Sequence, residues 1–336
     1  MKHLNVAIVG SGYIAQYHAE AIRSIPGVEI GAICSLDRET LRAMGNRFGV
    51  DCLTDRVEEL WGSQAIDLAV ICTPNLFHRD HAIEFLRRGK DLLIEKPLAR
   101  TSTEAEEIVE ASRLNSRLVM VGHMWRFDVE AQWVLDQITL GKIGRVLKTH
   151  GYGIHENWGP SGWFVDRNLA GGGALVDMGV HAIDTVRFLL SDPAPQSVFA
   201  QIGTHFGDYE VDDTGIVLIT WDSGVTSIVE SGWWHPKIDG PEAATRLTGS
   251  DGFLSLFPTQ GVQIEGPERS IVEFTSDFPR RREHCDQVIY TRQMEHFVEC
   301  VRTRQEPVPG LAEGMTVMRI VDAAYESSRT GEVVWL

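Results

Sequence analysis

Residues 4–15 read LNVAIVGSGYIA, from Leu4 to Ala15, and this stretch decides the fold. Leu4 to Val9 is an apolar run of strand length. It enters Gly10-x-Gly12-x-x-Ala15, and Tyr13 to Ser24 then has helical spacing. In such a turn the first glycine permits a tight bend and the second lets the backbone approach a pyrophosphate. The small Ala15 allows the helix to pack close to the strand, and the helix start supplies amide donors with a partial positive charge. Gly10, Gly12, Tyr13, Ile14 and Ala15 therefore form a candidate dinucleotide cradle.

Outward from the turn, strand and helix alternate. Pro26-Gly27 breaks the first helix and Val28 to Cys34 reads as a strand. Helical spacing over Asp37 to Phe48 follows, then strands at Leu68 to Cys72, Asp91 to Ile94 and Leu118 to Val121. Helices separate them at His78 to Arg88 and from a capping box at Thr103 to Glu106. Non-alternating apolar strands joined by helices predict a parallel sheet covered on both faces. After Gly144 the pattern changes to β-branched and aromatic segments, including Thr214 to Trp221 and Val225 to Ser231, separated by turns such as Asp222-Ser-Gly224. The expectation is an α/β protein: an N-terminal Rossmann domain over 1–122 and a C-terminal α/β domain over 123–336 with a large, mainly antiparallel open sheet. Helices at Ala174 to Leu190, Tyr290 to Thr303 and Glu313 to Ser328 frame that sheet, the last able to pack back on the first domain.

The end of the second strand should read the adenosine ribose. There the chain has Ser35, with Asp37 and Arg38 close by. A carboxylate would bond the ribose hydroxyls and repel a 2′-phosphate; Ser35 repels nothing. The cofactor expected is NAD or NADP, leaning to NADP through Ser35 and Arg38, with Asp37 as the competing residue.

Composition narrows the partners. Of 336 residues, 31 are lysine or arginine and 47 aspartate or glutamate, a formal charge of −16. Such a surface repels phosphate backbones and anionic lipid, so neither nucleic acid nor membrane is expected. No apolar run approaches the roughly 18 residues of a membrane helix, and the opening is too short in apolar residues for a secretory signal. The five cysteines include no C-x-x-C. Neither a disulfide framework nor a cysteine zinc site is expected, and the cytoplasm is the natural compartment.

Several motifs together resemble the Gfo/Idh/MocA oxidoreductases, the family of glucose–fructose oxidoreductase and inositol dehydrogenase. They are Gly10 to Ala15, Cys72-Thr-Pro-Asn75-x-x-His78, Glu95-Lys96-Pro97, and Gly171-Gly-Gly173-Ala-Leu-Val-Asp177-Met-Gly-Val-His181-Ala-Ile-Asp184. The resemblance spans nearly the whole chain. It implies cofactor contacts at Thr73, Pro74, Asn75, His78, Glu95 and Lys96, a cis Lys96–Pro97 bond, and Asp177 and His181 contributed by the second domain. The residues carry the same chemistry on their own. Lys96 ends an apolar strand where a parallel sheet binds its ligands. Glu95 and Lys96 should face opposite ways. Asp177, His181 and Asp184 share a helical face at spacings of four and three. In the reading this supports, His181 takes the substrate hydroxyl proton. Asp177 bonds a neighbouring hydroxyl or the histidine, and Lys96 stabilises the alkoxide.

Arg126 in Trp125-Arg-Phe-Asp128 matches the second arginine of a common family pattern, with Trp125 in place of the first. His155, Asn157, Trp158, Trp163 and Arg167 fall in a stretch expected to overhang the site. Arg126, His155, Trp163, Asp177 and His181 are the candidate substrate contacts, and aromatic rings with amides suit a carbohydrate or polyol. His155, Asp177 and His181 lack the local spacing of a metal site, so no metal is expected. The resemblance implies a homodimer or homotetramer, since Trp221, Trp233 and Trp234 on the open sheet would otherwise be exposed. The function expected is hydride transfer between a nicotinamide and a secondary hydroxyl or ketone of a sugar, inositol or polyol. The alternatives are an NAD-dependent glycosidase or lyase, and a non-catalytic nucleotide-binding regulator.

Overall fold

The structure, a computed structural model, describes residues 3–155, 159–234, 243–278 and 286–336. Asn157, Trp158, His235 and Cys285 lie outside the described residues. The chain forms two compact units, one of residues 1–124 and 286–315, the other of 125–285 and 316–336.

The first unit opens with β1 (Leu4–Val9), α1 (Tyr13–Ser24), β2 (Val28–Cys34), α2 (Arg38–Phe48), β3 (Leu53–Thr54), α3 (Glu58–Trp61) and β4 (Leu68–Ile71). It continues through α4 (His78–Arg87), β5 (Asp91–Ile94), α5 (Ser102–Asn115) and β6 (Val119–Val121). The strands form one parallel sheet in the order β3-β2-β1-β4-β5-β6. β4, β5 and β6 are buried along their whole length, as a sheet covered on both faces requires. The order reverses between β1 and β4, and ligands of such sheets bind beyond the carboxyl ends of the strands at that point.

Local chemistry sets the helix starts. Asp37 caps α2, accepting from the amides of Glu39 (3.0 Å) and Thr40 (3.1 Å). The cap of α5 is Thr101, not Thr103: its hydroxyl accepts from the Glu104 amide at 3.2 Å, while Glu104 reaches back to the Arg100 amide. The box therefore starts two residues before the expected one, because T-x-x-E also reads from Thr101. No side chain caps α1.

In the second unit, α6 (Val129–Thr139) is capped by Asp128. It leads to β7 (Val146–His155), α7 (Arg167–Ala170), a π-helical turn over Leu175–Gly179 and α8 (Val180–Leu189). There follow β8 (Pro195–Gly203), β9 (Thr214–Trp221), β10 (Thr226–Trp233), β11 (Ala243–Gly249), β12 (Gly252–Leu256), β13 (Gln260–Glu265) and β14 (Ser270–Thr275). Among the described residues, with β15 (Val334–Trp335), they form a sheet ordered β14-β13-β12-β11-β7-β10-β9-β8-β15. Every pairing is antiparallel except β7 with β10. The expected helix over 174–190 thus begins with a wider turn, and β11 appears where Ala243-Ala-Thr offered little strand signal.

Two further helices complete the chain. α9 (Gln287–Thr303) belongs to the first unit, where Tyr290 packs on Tyr17 and His18 of α1 with ring centroids 5.0 and 5.4 Å apart. α10 (Leu311–Thr330) begins in the first unit and continues in the second.

Candidate active site

In the first unit the turns after β1 and β4 touch. Gly10 has φ +109°, and a β-carbon there would stand 2.5 Å from the Cys72 carbonyl oxygen. Only glycine meets both demands. A β-carbon at Gly12 would meet no protein atom within 4 Å, so that glycine keeps space open above the uncapped start of α1. Thr73 adds a second sign of a ligand: its hydroxyl is buried and has no hydrogen-bond partner among the described residues. An open glycine cradle, an uncapped helix start and an orphaned hydroxyl fit the pyrophosphate and nicotinamide ends of a dinucleotide. Ala15 is fully buried as the close helix–strand packing needs, Tyr13 is 64% exposed and Ile14 half-buried. Asn75 is buried beside Pro74 at the start of the next helical turn.

The ribose corner differs in detail from expectation. Asp37 caps α2 through one carboxylate oxygen, Oδ1. Ser11 donates to Ser35 (2.7 Å) and lies 2.6 Å from the Thr40 hydroxyl, so three hydroxyls cluster after β1 and β2. Arg38 is not an unengaged cation: it donates to Asp55 from Nη2 at 2.7 Å and Nε at 3.2 Å, on an exposed surface.

Lys96 is half-buried after β5 and the Lys96–Pro97 bond is cis. Two residues expected at the cofactor serve the frame beneath it instead. Glu95 is buried just after β5, where His18 Nε2 donates to its Oε1 at 2.7 Å and the Lys96 amide donates to its Oε2 at 3.2 Å. Burial alone would raise the Glu95 pKa, but the bond and charge of His18, with Lys96, hold it below the usual carboxylate range. His78 is fully buried between two carbonyls, its Nδ1 2.8 Å from Pro97 O and its Nε2 2.9 Å from Thr73 O. It stands between the Thr73 turn and the Pro97 turn, with both ring nitrogens facing backbone carbonyls.

In the second unit Asp177 sits in the π-helical turn and His181, 4% exposed, opens α8. Trp233 Nε1 donates to Asp177 Oδ2 at 3.1 Å, and His155 Nε2 lies 3.5 Å from the same oxygen. The structure therefore brings Asp177, His155 and Trp233 together. A β-carbon at Gly153 would stand 2.3 Å from the Met178 carbonyl, so β7 lies against this turn only because that residue is glycine. Trp163 stacks on Phe164 with centroids 3.9 Å apart and is half-buried.

Arg126 and Asp184 need correction. Arg126 is 3% exposed; its Nε and Nη2 donate to Asp184, and its Nη1 and Nη2 donate to Asp192, over 2.7 to 3.1 Å. Burial disfavours the charged guanidinium, but the two carboxylates outweigh it and raise its pKa. Arg126 is thus a structural cation rather than a substrate ligand, and Asp184 its partner rather than a third member of the Asp177–His181 face. The sequence reading passed over His18 and Asp212 and placed Trp233 at the open sheet face rather than beside Asp177; a histidine on the helix of a glycine-rich turn, spaced to reach the next parallel strands, was the available signal for the first.

Comparison with known proteins agrees with this geometry. Residues 4–123 match the family described as "Oxidoreductase family, NAD-binding Rossmann fold", and residues 130–255 match the "GFO/IDH/MocA C-terminal domain". The chain belongs to the Gfo/Idh/MocA oxidoreductase family. It is an NAD(P)-dependent oxidoreductase. It is 26% identical over 99% of its length to D-glucoside 3-dehydrogenase of Escherichia coli, covering 97% of that protein. It is 25% identical over its whole length to scyllo-inositol 2-dehydrogenase (NAD(+)) of Bacillus subtilis, again covering 97%. The solved aldose-aldose oxidoreductase from Caulobacter crescentus, complexed with glycerol, shares the fold at a TM-score of 0.85, 24% identity and full coverage of both chains.

Removing one partner of a buried ion pair strands the other charge. Arg126→Ala should lower the unfolding free energy by about 3–5 kcal/mol in urea denaturation. A loss under about 1 kcal/mol would mean the guanidinium is held for another purpose.

Proposed function

We propose that this family member moves a hydride between the nicotinamide of NAD(P) and a secondary hydroxyl or ketone of a sugar, an inositol or a related polyol. The observation that carries this reading is the nearly buried Asp177 carboxylate, held by Trp233 and His155 four positions before His181. A fixed carboxylate acceptor and a histidine on adjoining turns suit a substrate with neighbouring hydroxyls. The dehydrogenase names of both full-length relatives support the same class. The bound nicotinamide would supply the hydride acceptor or donor.

The chain's own residues do the rest. His181 takes the proton from the reacting hydroxyl, a task matched to an imidazole at neutral pH. Lys96 bonds the same oxygen and stabilises negative charge as it develops. Asp177 accepts a hydrogen bond from the next hydroxyl and fixes which carbon is presented. Trp163 and His155 line the sugar. The presence of both Lys96 and His181 counts against a non-catalytic regulator, which needs neither.

The cofactor favoured is NADP. Asp37 turns its Oδ1 to the start of α2, and the hydroxyls of Ser11, Ser35 and Thr40 cluster at the ribose corner. Arg38 can exchange its exposed partner Asp55 for a 2′-phosphate at small cost, since water already screens so exposed a pair.

A second copy of the chain completes the reading. Trp221 and Trp233 are fully buried, which corrects the expectation that they line the open face. The exposed face carries Ile216, Leu218 and Ile228 instead, and Ile228 pairs with Leu218 across β9 and β10. Three apolar side chains on one sheet face favour a homo-oligomer. No helix of the described residues is long and apolar enough to cross a membrane. The unpaired Cys34, Cys52, Cys72 and Cys300 support a reducing compartment such as the cytoplasm.

Parallel titration with NADPH and NADH, followed by nicotinamide fluorescence, should show tighter binding of NADPH. Arg38→Ala should reduce that preference about tenfold, the order of one charge-assisted bond. Lys96→Met should lower turnover about 100-fold or more in a sugar and polyol panel. Full turnover by Lys96→Met would refute the mechanism, and binding of neither nucleotide would remove its foundation. In light scattering the protein should be a dimer or tetramer and Ile228→Arg should dissociate it; a monodisperse wild-type monomer would refute the assembly.

A further inference from the structure

Asp212 sits in Val211-Asp-Asp-Thr214, 39 positions beyond Gly173. Its side chain and backbone take up the start of the helical segment that carries Asp177 and His181. Asp212 Oδ1 accepts from the Gly173 amide at 2.8 Å, Oδ2 accepts from the Leu175 amide at 2.8 Å, and its carbonyl accepts from the Ala174 amide at 2.7 Å. Three consecutive amides of a helix start are thus satisfied by one distant residue. Tyr325 of α10 donates to Oδ1 at 2.6 Å and fixes the carboxylate from the other side.

The glycines of Gly171-Gly-Gly173 exist in part to admit this contact. A β-carbon at Gly173 would stand 1.8 Å from the Asp212 carbonyl oxygen, and one at Gly172 would stand 2.1 Å from the Tyr325 hydroxyl. The same turn is packed from beneath: Ala174 and Met178 share a buried cluster with Val211 and Trp233. Trp233 in turn bonds Asp177. The neighbouring Asp213 holds the loop at 205–207 through the amides of His205, Phe206 and Gly207 and through Tyr209, whose ring packs edge-on against Trp233. The two aspartates therefore brace the Asp177 turn and the loop beside Trp233, respectively.

We infer that Asp212, fixed by the Tyr325 hydroxyl, is a positioning residue that sets the aim of Asp177 and His181 by holding the amides of Gly173, Ala174 and Leu175. The inference deepens the functional reading above and depends on its roles for Asp177 and His181. The carboxylate must be ionised to accept from all its donors at once. Burial raises the Asp212 pKa, while the Tyr325 bond and the backbone amides oppose that rise. The titratable and charged groups around it are Tyr325 from α10, Arg167 of α7 acting on Tyr325, and Asp213 with its partner Tyr209. Burial, with Asp212 adding to it, pushes the Tyr325 hydroxyl well up, so it stays a donor through the working range. Removing that donor raises the Asp212 pKa further. Turnover on the acid side needs His181 neutral and Asp212 ionised, so the raised Asp212 pKa adds a second proton to the fall-off, which steepens and moves to higher pH.

The test compares Tyr325→Phe and Asp212→Asn with the wild-type protein. Tyr325→Phe should lower kcat about tenfold and Asp212→Asn about 100-fold, the scale of a small misplacement of reacting groups. NADPH affinity should be unchanged in both. The acid limb of kcat should rise by about one pH unit in Tyr325→Phe. Hydrogen exchange should accelerate at the amides of residues 173–177 in both variants and stay unchanged in α9. Wild-type kcat, pH profile and exchange in a folded Tyr325→Phe would overturn the inference. So would a kcat loss with no movement of the acid limb, since that is what a merely structural defect gives. If Asp212→Asn does not fold, Tyr325→Phe alone decides by the same criteria. If the wild-type protein turns over no sugar or polyol, the functional reading has failed; the exchange arm still decides whether Asp212 and Tyr325 hold the turn.

Discussion

Beside the residues assigned to chemistry, backbone meets backbone more closely than a β-carbon would allow, once in the first unit and twice in the second. A β-carbon would stand 2.5 Å from the Cys72 carbonyl at Gly10, 2.3 Å from the Met178 carbonyl at Gly153, and 1.8 Å from the Asp212 carbonyl at Gly173. None of these clashes can be relieved by rotating a side chain, because the obstructing atom belongs to the main chain. The first contact joins the two turns at the point where the parallel sheet reverses its order. The other two seat the turn of Asp177 on β7 and on the residues before β9. A frame fixed through its backbone leaves the side chains at the rim open to change, which suits a family whose members act on different sugars.

Charge inside the protein is used to aim rather than to add stability. A buried ion pair gains little net energy over an apolar replacement, yet breaking one is costly. Glu95 joins α1 to the amide of Lys96 through His18. Arg126 ties α8 to the bend at Asp192. Asp212 joins the start of the Asp177 turn to α10. Each group links segments distant in sequence; Glu95 touches the backbone of Lys96, and Asp212 holds the start of the turn that carries Asp177. A hydrophobic contact of the same size would hold these segments together but would leave their relative aim looser, since dispersion is not directional and a hydrogen bond is.

What the sequence shows depends on whether the cause is local. The turn at Gly10 to Ala15, the buried strands β1, β4 and β5, and the helix spacing of α1 and α2 are all written in adjacent residues, and all appear where expected. The alternation along β9, with Val217 and Ile219 buried and Ile216 and Leu218 exposed, is equally local. Residue types at the candidate site were also legible. Their partners were not. Glu95 and His78 have the composition of ligand contacts, but His18 and the carbonyls of Thr73 and Pro97 claim their polar atoms, and those partners lie up to 77 positions away. Arg126 is claimed in the same way by Asp184 and Asp192. The aspect of Trp221 and Trp233 was misread because it depends on the register of β9 and β10, where a shift of one residue exchanges the two faces.

A formal charge of −16 and a strongly anionic cofactor look incompatible until distance is considered. At physiological ionic strength the field of a surface carboxylate is screened over about 8 Å, so the distant charges are felt weakly at the turn. The amides at the start of α1 act in contact, carrying together about half a positive charge on groups that no counterion can intervene to screen. In the reading proposed above, contact dipoles would decide whether the pyrophosphate stays, and the acidic surface would govern mainly how often it arrives. Gly12 matters here for a reason beyond its flexibility. Any side chain at that position would fill the open space and hold the phosphates away from the amides. In a chain this acidic, the closeness that glycine permits is what allows a helix start, with no lysine or arginine in the Gly10 to Ala15 turn, to hold an anion.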